Sequence, residues 1–199
     1  MAGGPLVSVV TPTWGRHEAV LGRCIPSVAA QDYPAVEHVV VSDGPDLELK
    51  LQVKLQHPDV IYGEVPEHDP DARWGHWARL AGIGAARGEF IAYLDDDNAY
   101  RPQHLSAVIT AMEETGADFG YSVALFQGRG QPYPVGQQPP SYGQIDTSIM
   151  VHRRELLETA SWRWHEGIPT IDWDLTERWL AAGARWAFVP YVTVDYYFS

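Results

Sequence analysis

The chain has 199 residues, 45% of them hydrophobic, and its 14 Lys and Arg against 26 Asp and Glu give a formal net charge of −12. One core of this size buries roughly 70% of the unfolded surface, so neither disulfides nor a structural metal is needed. The acidic balance, with Lys50 and Lys54 as the only lysines, argues against a surface for nucleic acid or an anionic membrane.

Cysteine content and hydropathy indicate the compartment. Cys24 is the only cysteine, which excludes an internal disulfide and a Cys-rich zinc site and suits a reducing environment. No window reaches the roughly 18 apolar residues of a membrane span, and no basic segment precedes the first apolar run. We therefore expect a soluble, cytoplasmic domain without a transmembrane segment.

Apolar runs alternate with helical patterns in the first 124 residues. Strands that are apolar on both faces and alternate with helices predict a mostly parallel, Rossmann-like sheet with helices on both faces. The predicted strands are Leu6–Val10, Val36–Val41, Val60–Tyr62, Phe90–Leu94 and Phe119–Val123. The predicted helices are Glu18–Ala30, Leu47–Leu55, Trp74–Ala86 and Pro102–Glu114.

A stretch rich in Gly, Pro and Gln, from Gln127 to Gly143, predicts an irregular loop. We expect one domain over residues 1–199, with a ligand-binding half at 1–124, a flexible loop at 125–144 and a smaller half at 145–199. The second half is predicted to contain a strand at Ile145–Val151, a short helix from Arg153, a helix at Asp172–Ala182 and a strand at Tyr191–Phe198.

Polar residues follow three of the predicted strands. These segments are Thr11–Arg16, Ser42–Asp46 and Asp95–Asn98. In an open α/β sheet, ligands bind beyond the carboxyl ends of the strands. We therefore expect the three segments to converge on one site.

Three consecutive aspartates, Asp95, Asp96 and Asp97, form the most unusual of these segments. Neighbouring like charges oppose ionisation, so a cation is expected close by. Oxygen ligands suit Mg²⁺ or Mn²⁺, which keep positions open for water and phosphate oxygens. The alternative is a solvated turn or a cap for the helix near Pro102, but the position after a wholly apolar strand favours a site.

Four motifs in this order, VSVVTPTWGR, VVVSDGPD, the segment Gly75–Gly88 and GEFIAYLDDDN, resemble family 2 glycosyltransferases with the GT-A fold. The resemblance covers Leu6 to about Ala111 and continues more weakly through IDTSIMVHRRELLE and the helix around Asp172. It implies a GT-A fold with a small C-terminal acceptor-side subdomain.

The resemblance also implies an activity and a set of site residues. The activity is transfer of a sugar, with inversion, from a nucleoside diphosphate sugar to a hydroxyl acceptor; uridine is the commonest nucleoside, and Mn²⁺ or Mg²⁺ is the expected cofactor. The implied nucleotide-binding residues are Thr11, Pro12, Trp14, Arg16, Asp43, Arg79, Asp95 and Asp96. The implied metal ligands are Asp97 and Asp95, the general base is Asp172, and the acceptor side carries Trp164, Trp173 and Asp174.

Several positions leave alternatives open. Asp174 is a second candidate for the base, and Asp172 is also suited to capping its helix. Leu80, Ser42 and Ile171 replace residues typical of the family.

Two other functions compete with sugar transfer. A chain with so short a second half could bind a nucleotide sugar without turning it over. The Asp-x-Asp pattern also resembles haloacid-dehalogenase phosphatases, although Ala99 stands where that motif has Thr or Val, and no lysine follows Lys54.

Overall fold

The computed structural model describes residues 4–71, 73–128, 130–168 and 170–197. Its strands are β1 Val7–Thr13, β2 Val36–Ser42, β3 Ile61–Glu64, β4 Phe90–Tyr93, β5 Ala99–Tyr100, β6 Phe119–Gln127, β7 Tyr133–Val135, β8 Met150–Arg153 and β9 Trp186–Tyr197. Its α-helices are α1 His17–Ala19, α2 Ile25–Ala29, α3 Leu47–Gln56, α4 His76–Ala85, α5 His104–Thr115, α6 Leu156–Thr159 and α7 Ile171–Ala181.

The strands form one sheet in the order β3-β2-β1-β4-β8-β6-β9-β5, with β7 paired to β6. The four strands from β3 to β4 are mutually parallel, as the alternating pattern predicts. Beyond β4 the pairing is mixed: β8 runs antiparallel to both neighbours, whereas β6 and β9 are parallel. The parallel part therefore brings the carboxyl ends of β1, β2 and β4 to one edge.

Helix α4 lies very close to the parallel strands. Gly82 faces Val10 and Val41, and a Cβ at this glycine would collide with Val10. Arg79 lies one turn earlier on the same face of α4, so the close approach carries its side chain into the interior beside the sheet.

The predicted start of α4 at Trp74 is wrong by two residues. Trp74 (φ 59°) and Gly75 (φ 63°) both adopt left-handed backbone conformations, which an α-helix does not accept. The helix consequently begins at His76.

The predicted strand Ile145–Val151 also starts too early. The Asp146 carboxylate accepts the backbone N–H of Ser148 (2.8 Å) and fixes a 3₁₀ turn over Thr147–Ile149, so β8 begins at Met150. The predicted strand Tyr191–Phe198 begins earlier, at Trp186, and Phe198 lies outside the described residues.

The segment predicted as a flexible loop is partly ordered against the sheet. Strand β6 continues to Gln127, β7 pairs with it, and the Tyr121 hydroxyl donates to the carbonyl of Gln137 (2.8 Å). The Gly, Pro and Gln content does not reveal this hairpin, because the pairing depends on residues of β6.

Candidate active site

A cavity of about 570 Å³ opens at the carboxyl ends of β1, β2 and β4. The three predicted polar segments all contribute to it, as expected from their positions after the strands. Among the predicted site residues it is lined by Pro12, Trp14, Arg16, Asp43, Arg79, Asp95, Asp96, Asp97 and Asp172. It contains seven aspartates but only two arginines, so an anionic ligand requires additional positive charge here.

One end of the cavity has an aromatic wall and a carboxylate. Trp14, half exposed, stacks on His68 at a ring-centroid distance of 4.2 Å and an interplanar angle of 5°. His68 Nδ1 donates to Asp43 Oδ2 (2.9 Å), whereas the buried Asp43 Oδ1 has no hydrogen-bond partner among the described residues. This end can therefore stack a planar ring and accept a hydrogen bond from it.

The carboxylates of the acidic turn after β4 contact two different arginines. Arg16 Nη1 contacts Asp96 Oδ1 at 2.8 Å and Asp97 Oδ2 at 3.2 Å. Arg79, almost fully buried, lies 3.6 Å from Asp95, and its Nε and Nη1 have no partner among the described residues. Two unused donors on a buried guanidinium are costly unless a ligand accepts from them.

Burial dominates the titration of these carboxyls. It raises the pKa of Asp95 to about 6, opposed by Arg79 and reinforced by Asp96 and Asp97. Burial likewise raises the pKa of Asp96, and the hydrogen bond from Arg16 opposes it. Desolvation therefore outweighs the local arginines at both residues.

Asp172 enters the cavity from the first turn of α7. It shares a helix face with Leu175 and Trp179, which are both fully buried, and this face is directed inward. Burial raises the pKa of the Asp172 carboxyl, opposed by a hydrogen bond from the backbone N–H of Trp173. A carboxylate of increased basicity thus lies in the same cavity as the acidic turn.

Asp174, which is predicted for the acceptor side, does not line this cavity. It lies on another face of α7 and forms ion pairs with Arg163 (2.7 Å) and Arg178 (2.8 Å). Although partial burial opposes the effect, these two guanidinium groups lower the pKa of Asp174. A carboxylate held in this way is a poor candidate for a base.

Three other predicted site residues, Thr11, Trp173 and Trp164, do not line this cavity. Thr11 does not line the cavity, because its buried hydroxyl is bonded to His38 Nε2 at 2.9 Å instead. Trp173 packs against the core and lines neither this cavity nor its neighbour. Trp164 lines the neighbouring cavity, of about 580 Å³, where it meets Trp74 edge to face at 5.2 Å. Trp74 lines both cavities and connects them.

Sequence reasoning missed several charged or polar contributors, His68 and Asp146 among them. His68 follows β3, whose carboxyl end lies at the same edge of the sheet, so the rule that identified the other segments also applies to it. Asp146 gave no such signal because it precedes an antiparallel strand. Burial, together with the charges of Asp95 and Asp172, raises the pKa of Asp146 well above its ordinary range.

The cavity fits a divalent ion only in part. No group of three or more His, Cys, Asp or Glu side chains among the described residues is arranged to hold a metal ion. Asp95 and Asp97 nevertheless offer oxygen donors at the cavity wall, and Mg²⁺ is usually held by one or two carboxylates together with substrate phosphates. The donor set suits an ion that binds together with a phosphorylated ligand.

The chain is similar to known glycosyltransferases in sequence and in structure. WcaA of Escherichia coli, by name a colanic acid biosynthesis glycosyl transferase, is 26% identical over 170 residues, covering 82% of this chain and 59% of WcaA. Residues 1–349 of TarS of S. aureus with bound UDP-GlcNAc superpose with a TM-score of 0.74 at 18% identity, covering 98% of this chain and 59% of that TarS chain. The mannosyltransferase PcManGT of Pyrobaculum calidifontis, solved with GDP-Man and Mn²⁺, gives a TM-score of 0.72 at 18% identity, covering 96% and 56%.

The structural neighbours confirm the expected GT-A fold. The chain spans less than two thirds of the length of each of these relatives. None of the described helices has the length and apolar character needed to cross a membrane. The family model for glycosyl transferase family 2 matches residues 8–170, so the chain belongs to this family.

Proposed function

We propose that this protein transfers a sugar from a nucleoside diphosphate sugar to a hydroxyl group of an acceptor, with inversion at the anomeric carbon. The observation that carries the proposal is the shared cavity of the acidic turn at Asp95–Asp97 and the partly buried Asp172. Membership of glycosyl transferase family 2 supports the reaction class. Family membership also argues against the phosphatase hypothesis, as does the absence of both lysines from the described cavity lining.

The donor's base is proposed to bind between Trp14 and Asp43. Uracil presents an N–H group in its ring plane, and the unpartnered Asp43 Oδ1 is a buried acceptor suited to it. The stacked rings of Trp14 and His68 offer a flat surface beside that carboxylate. Uridine is therefore our proposed nucleoside, and the UDP-GlcNAc bound to the neighbour TarS is in keeping with it.

The diphosphate is proposed to lie over the acidic turn, with Mg²⁺ or Mn²⁺ held by Asp97 and Asp95. Seven aspartates in the lining would otherwise repel a diphosphate. Bound there, the ion would stabilise the negative charge that develops on the leaving diphosphate. Arg79 adds a fixed positive charge with two unused donors on the same side.

Asp172 is proposed as the general base. It takes the proton from the acceptor hydroxyl while that oxygen forms a bond to the anomeric carbon. The bond from this carbon to the diphosphate oxygen breaks on the opposite face, and its electron pair leaves with the diphosphate. Increased basicity from burial suits this role, because a base works best when its pKa approaches the working pH.

The acceptor is proposed to enter through the neighbouring cavity, past Trp74 and Trp164. Aromatic rings of this kind stack on the apolar faces of sugars, and the shared Trp74 leads from this cavity toward Asp172. The proposed acceptor is a saccharide, a lipid or a small molecule that carries a hydroxyl group. A cytoplasmic location belongs to the proposal as well.

The test compares Asp172→Asn with Asp174→Asn, two substitutions in one helix. Single-turnover transfer and donor hydrolysis are measured with Mn²⁺, and donor affinity is measured by calorimetry. Asp172→Asn should slow turnover by about 10²- to 10⁴-fold at unchanged donor affinity, whereas Asp174→Asn should retain turnover in the folded protein. Donor binding without turnover by the wild type, for every acceptor offered, would instead support a non-catalytic binding module.

A further inference from the structure

We propose that Arg16 is an internal counter-ion that holds the metal-binding carboxylate of Asp97 until a divalent ion arrives, and that it then turns to the donor's diphosphate. This inference rests on the proposed function. It assigns Arg16 a positioning role that couples metal binding to donor binding.

The geometry of the ion pairs carries the first step. A single nitrogen, Arg16 Nη1, contacts both Asp96 Oδ1 (2.8 Å) and Asp97 Oδ2 (3.2 Å). The two carboxylate side chains are only 6% and 10% exposed, whereas the Arg16 side chain is 45% exposed. The cation therefore reaches in from the solvent side and covers carboxylates that are otherwise buried.

Arg16 differs in this respect from the other arginine of the cavity. Arg79 is 2% exposed and lies 3.6 Å from Asp95, enclosed between α4 and the sheet, with its guanidinium over the ring of Trp162. Arg16 stands in the loop after β1, directly behind Gly15 (φ 67°). Its side chain forms no other hydrogen bond or ion pair among the described residues, so little besides these two contacts restrains the guanidinium.

Competition for Asp97 is the consequence. A divalent ion that binds the Asp97 carboxylate lies close to the guanidinium at Oδ2, and repulsion between the two cations weakens its binding unless the guanidinium is displaced. Displacement is unfavourable while the guanidinium would keep Asp96 as its only anionic partner. A diphosphate removes that obstacle, because it supplies ligands to the ion and a bidentate partner to the guanidinium.

Metal and donor should therefore bind cooperatively, with Arg16 opposing the ion alone and favouring the ion together with the nucleotide. Removal of Arg16 should affect the two affinities in opposite directions. A residue with a merely structural role would weaken both.

The experiment uses Arg16→Gln, with Arg16→Lys as the charge-retaining variant and Arg87→Gln as a matched control. Arg87 pairs with Glu37 away from the cavity, so its loss changes the net charge equally. Mn²⁺ affinity without nucleotide is measured from the free-ion signal in electron paramagnetic resonance. UDP affinity is measured by calorimetry at saturating Mn²⁺.

We expect Arg16→Gln to bind Mn²⁺ alone about 3- to 10-fold more tightly than wild type, and UDP with Mn²⁺ more weakly by a similar factor. Arg16→Lys and Arg87→Gln should stay near wild type for Mn²⁺ alone. Unchanged or weaker Mn²⁺ binding by folded Arg16→Gln would overturn the inference, and so would equal tightening in Arg87→Gln.

A second measurement needs no charge-neutralising variant. The Hε–Nε signal of Arg16, assigned by its loss in Arg16→Lys, should stay near its free position with Mg²⁺ alone and shift when UDP is added with Mg²⁺. A signal that does not shift when UDP and Mg²⁺ are both present contradicts the inference, even if Arg16→Gln does not fold. Failure of wild type to bind either Mn²⁺ or UDP would contradict the proposed function itself.

Discussion

Ionisation of Asp95 in the acidic turn destabilises the folded protein, and a single substitution can measure this effect. Burial raises the pKa of Asp95 to about 6, compared with about 3.9 for an unperturbed aspartate. Because the folded-state pKa lies above the unfolded value, the folded protein binds the proton more tightly than the unfolded chain. The stability contributed by this protonated group is fully present below about pH 4 and is lost as the pH rises through about 6.

The size of the effect follows from the two pKa values. Each tenfold difference in proton affinity corresponds to about 1.4 kcal/mol, so ionising Asp95 in the folded state costs about 2 to 3 kcal/mol of unfolding free energy. The Asp95 side chain is only 28% exposed, which limits screening by solvent. Asparagine at this position cannot ionise, so the Asp95→Asn variant does not lose this unfolding free energy as the pH rises.

The assay is urea unfolding of wild type and Asp95→Asn in a metal-free buffer containing EDTA, from pH 4 to pH 8. The stability of Asp95→Asn relative to wild type should increase through pH 4 to 6 and stay level above about pH 7. Asp59→Asn, at an exposed turn outside the cavity, is the matched control for the loss of one aspartate. A difference that stays flat, or that decreases with pH, for Asp95→Asn would refute the reasoning.

Three further predictions concern binding and turnover. Asp43→Asn should weaken UDP binding by about 10- to 100-fold through the lost charged acceptor, with Mn²⁺ affinity unchanged in calorimetry; equal UDP affinity would contradict the base pocket. Trp164→Ala should raise the acceptor KM by about 3- to 10-fold and leave donor hydrolysis unchanged; slower hydrolysis would place Trp164 on the donor side. Since burial raises the pKa of Asp172, kcat/KM for transfer should fall on the acid side at a pH above the usual aspartate range, and a lower limb would argue against this base.

The sequence predicted the parallel part of the fold and the location of the site. Apolar strands followed by polar residues identify the carboxyl edge of a parallel sheet, and Trp14, Asp43 and Asp95 all line one cavity there. The sequence did not show which way the side chain of Thr11 is directed. Thr11 lies just before the cavity, but its hydroxyl is bonded to His38 in the core.

Other features depend on side-chain pairing or backbone conformation that residue types alone do not reveal. The exclusion of Asp174 from the site depends on Arg163 and Arg178, and a motif of two aspartates two positions apart does not reveal which one is paired. The entry of Asp146 into the cavity depends on a 3₁₀ turn, which its own carboxylate fixes through Ser148. The left-handed backbone at Trp74 is likewise invisible in residue type, since tryptophan rarely adopts it.

In the proposed function, the acidic turn binds a nucleoside diphosphate through a divalent ion. Calorimetric titration of UDP into wild type and Asp97→Ala, each with Mn²⁺ and with EDTA, tests it most directly. We expect UDP to bind wild type only with Mn²⁺, and not to bind folded Asp97→Ala under either condition. Equal UDP affinity with and without Mn²⁺, or undiminished Mn²⁺-dependent binding by Asp97→Ala, would contradict it.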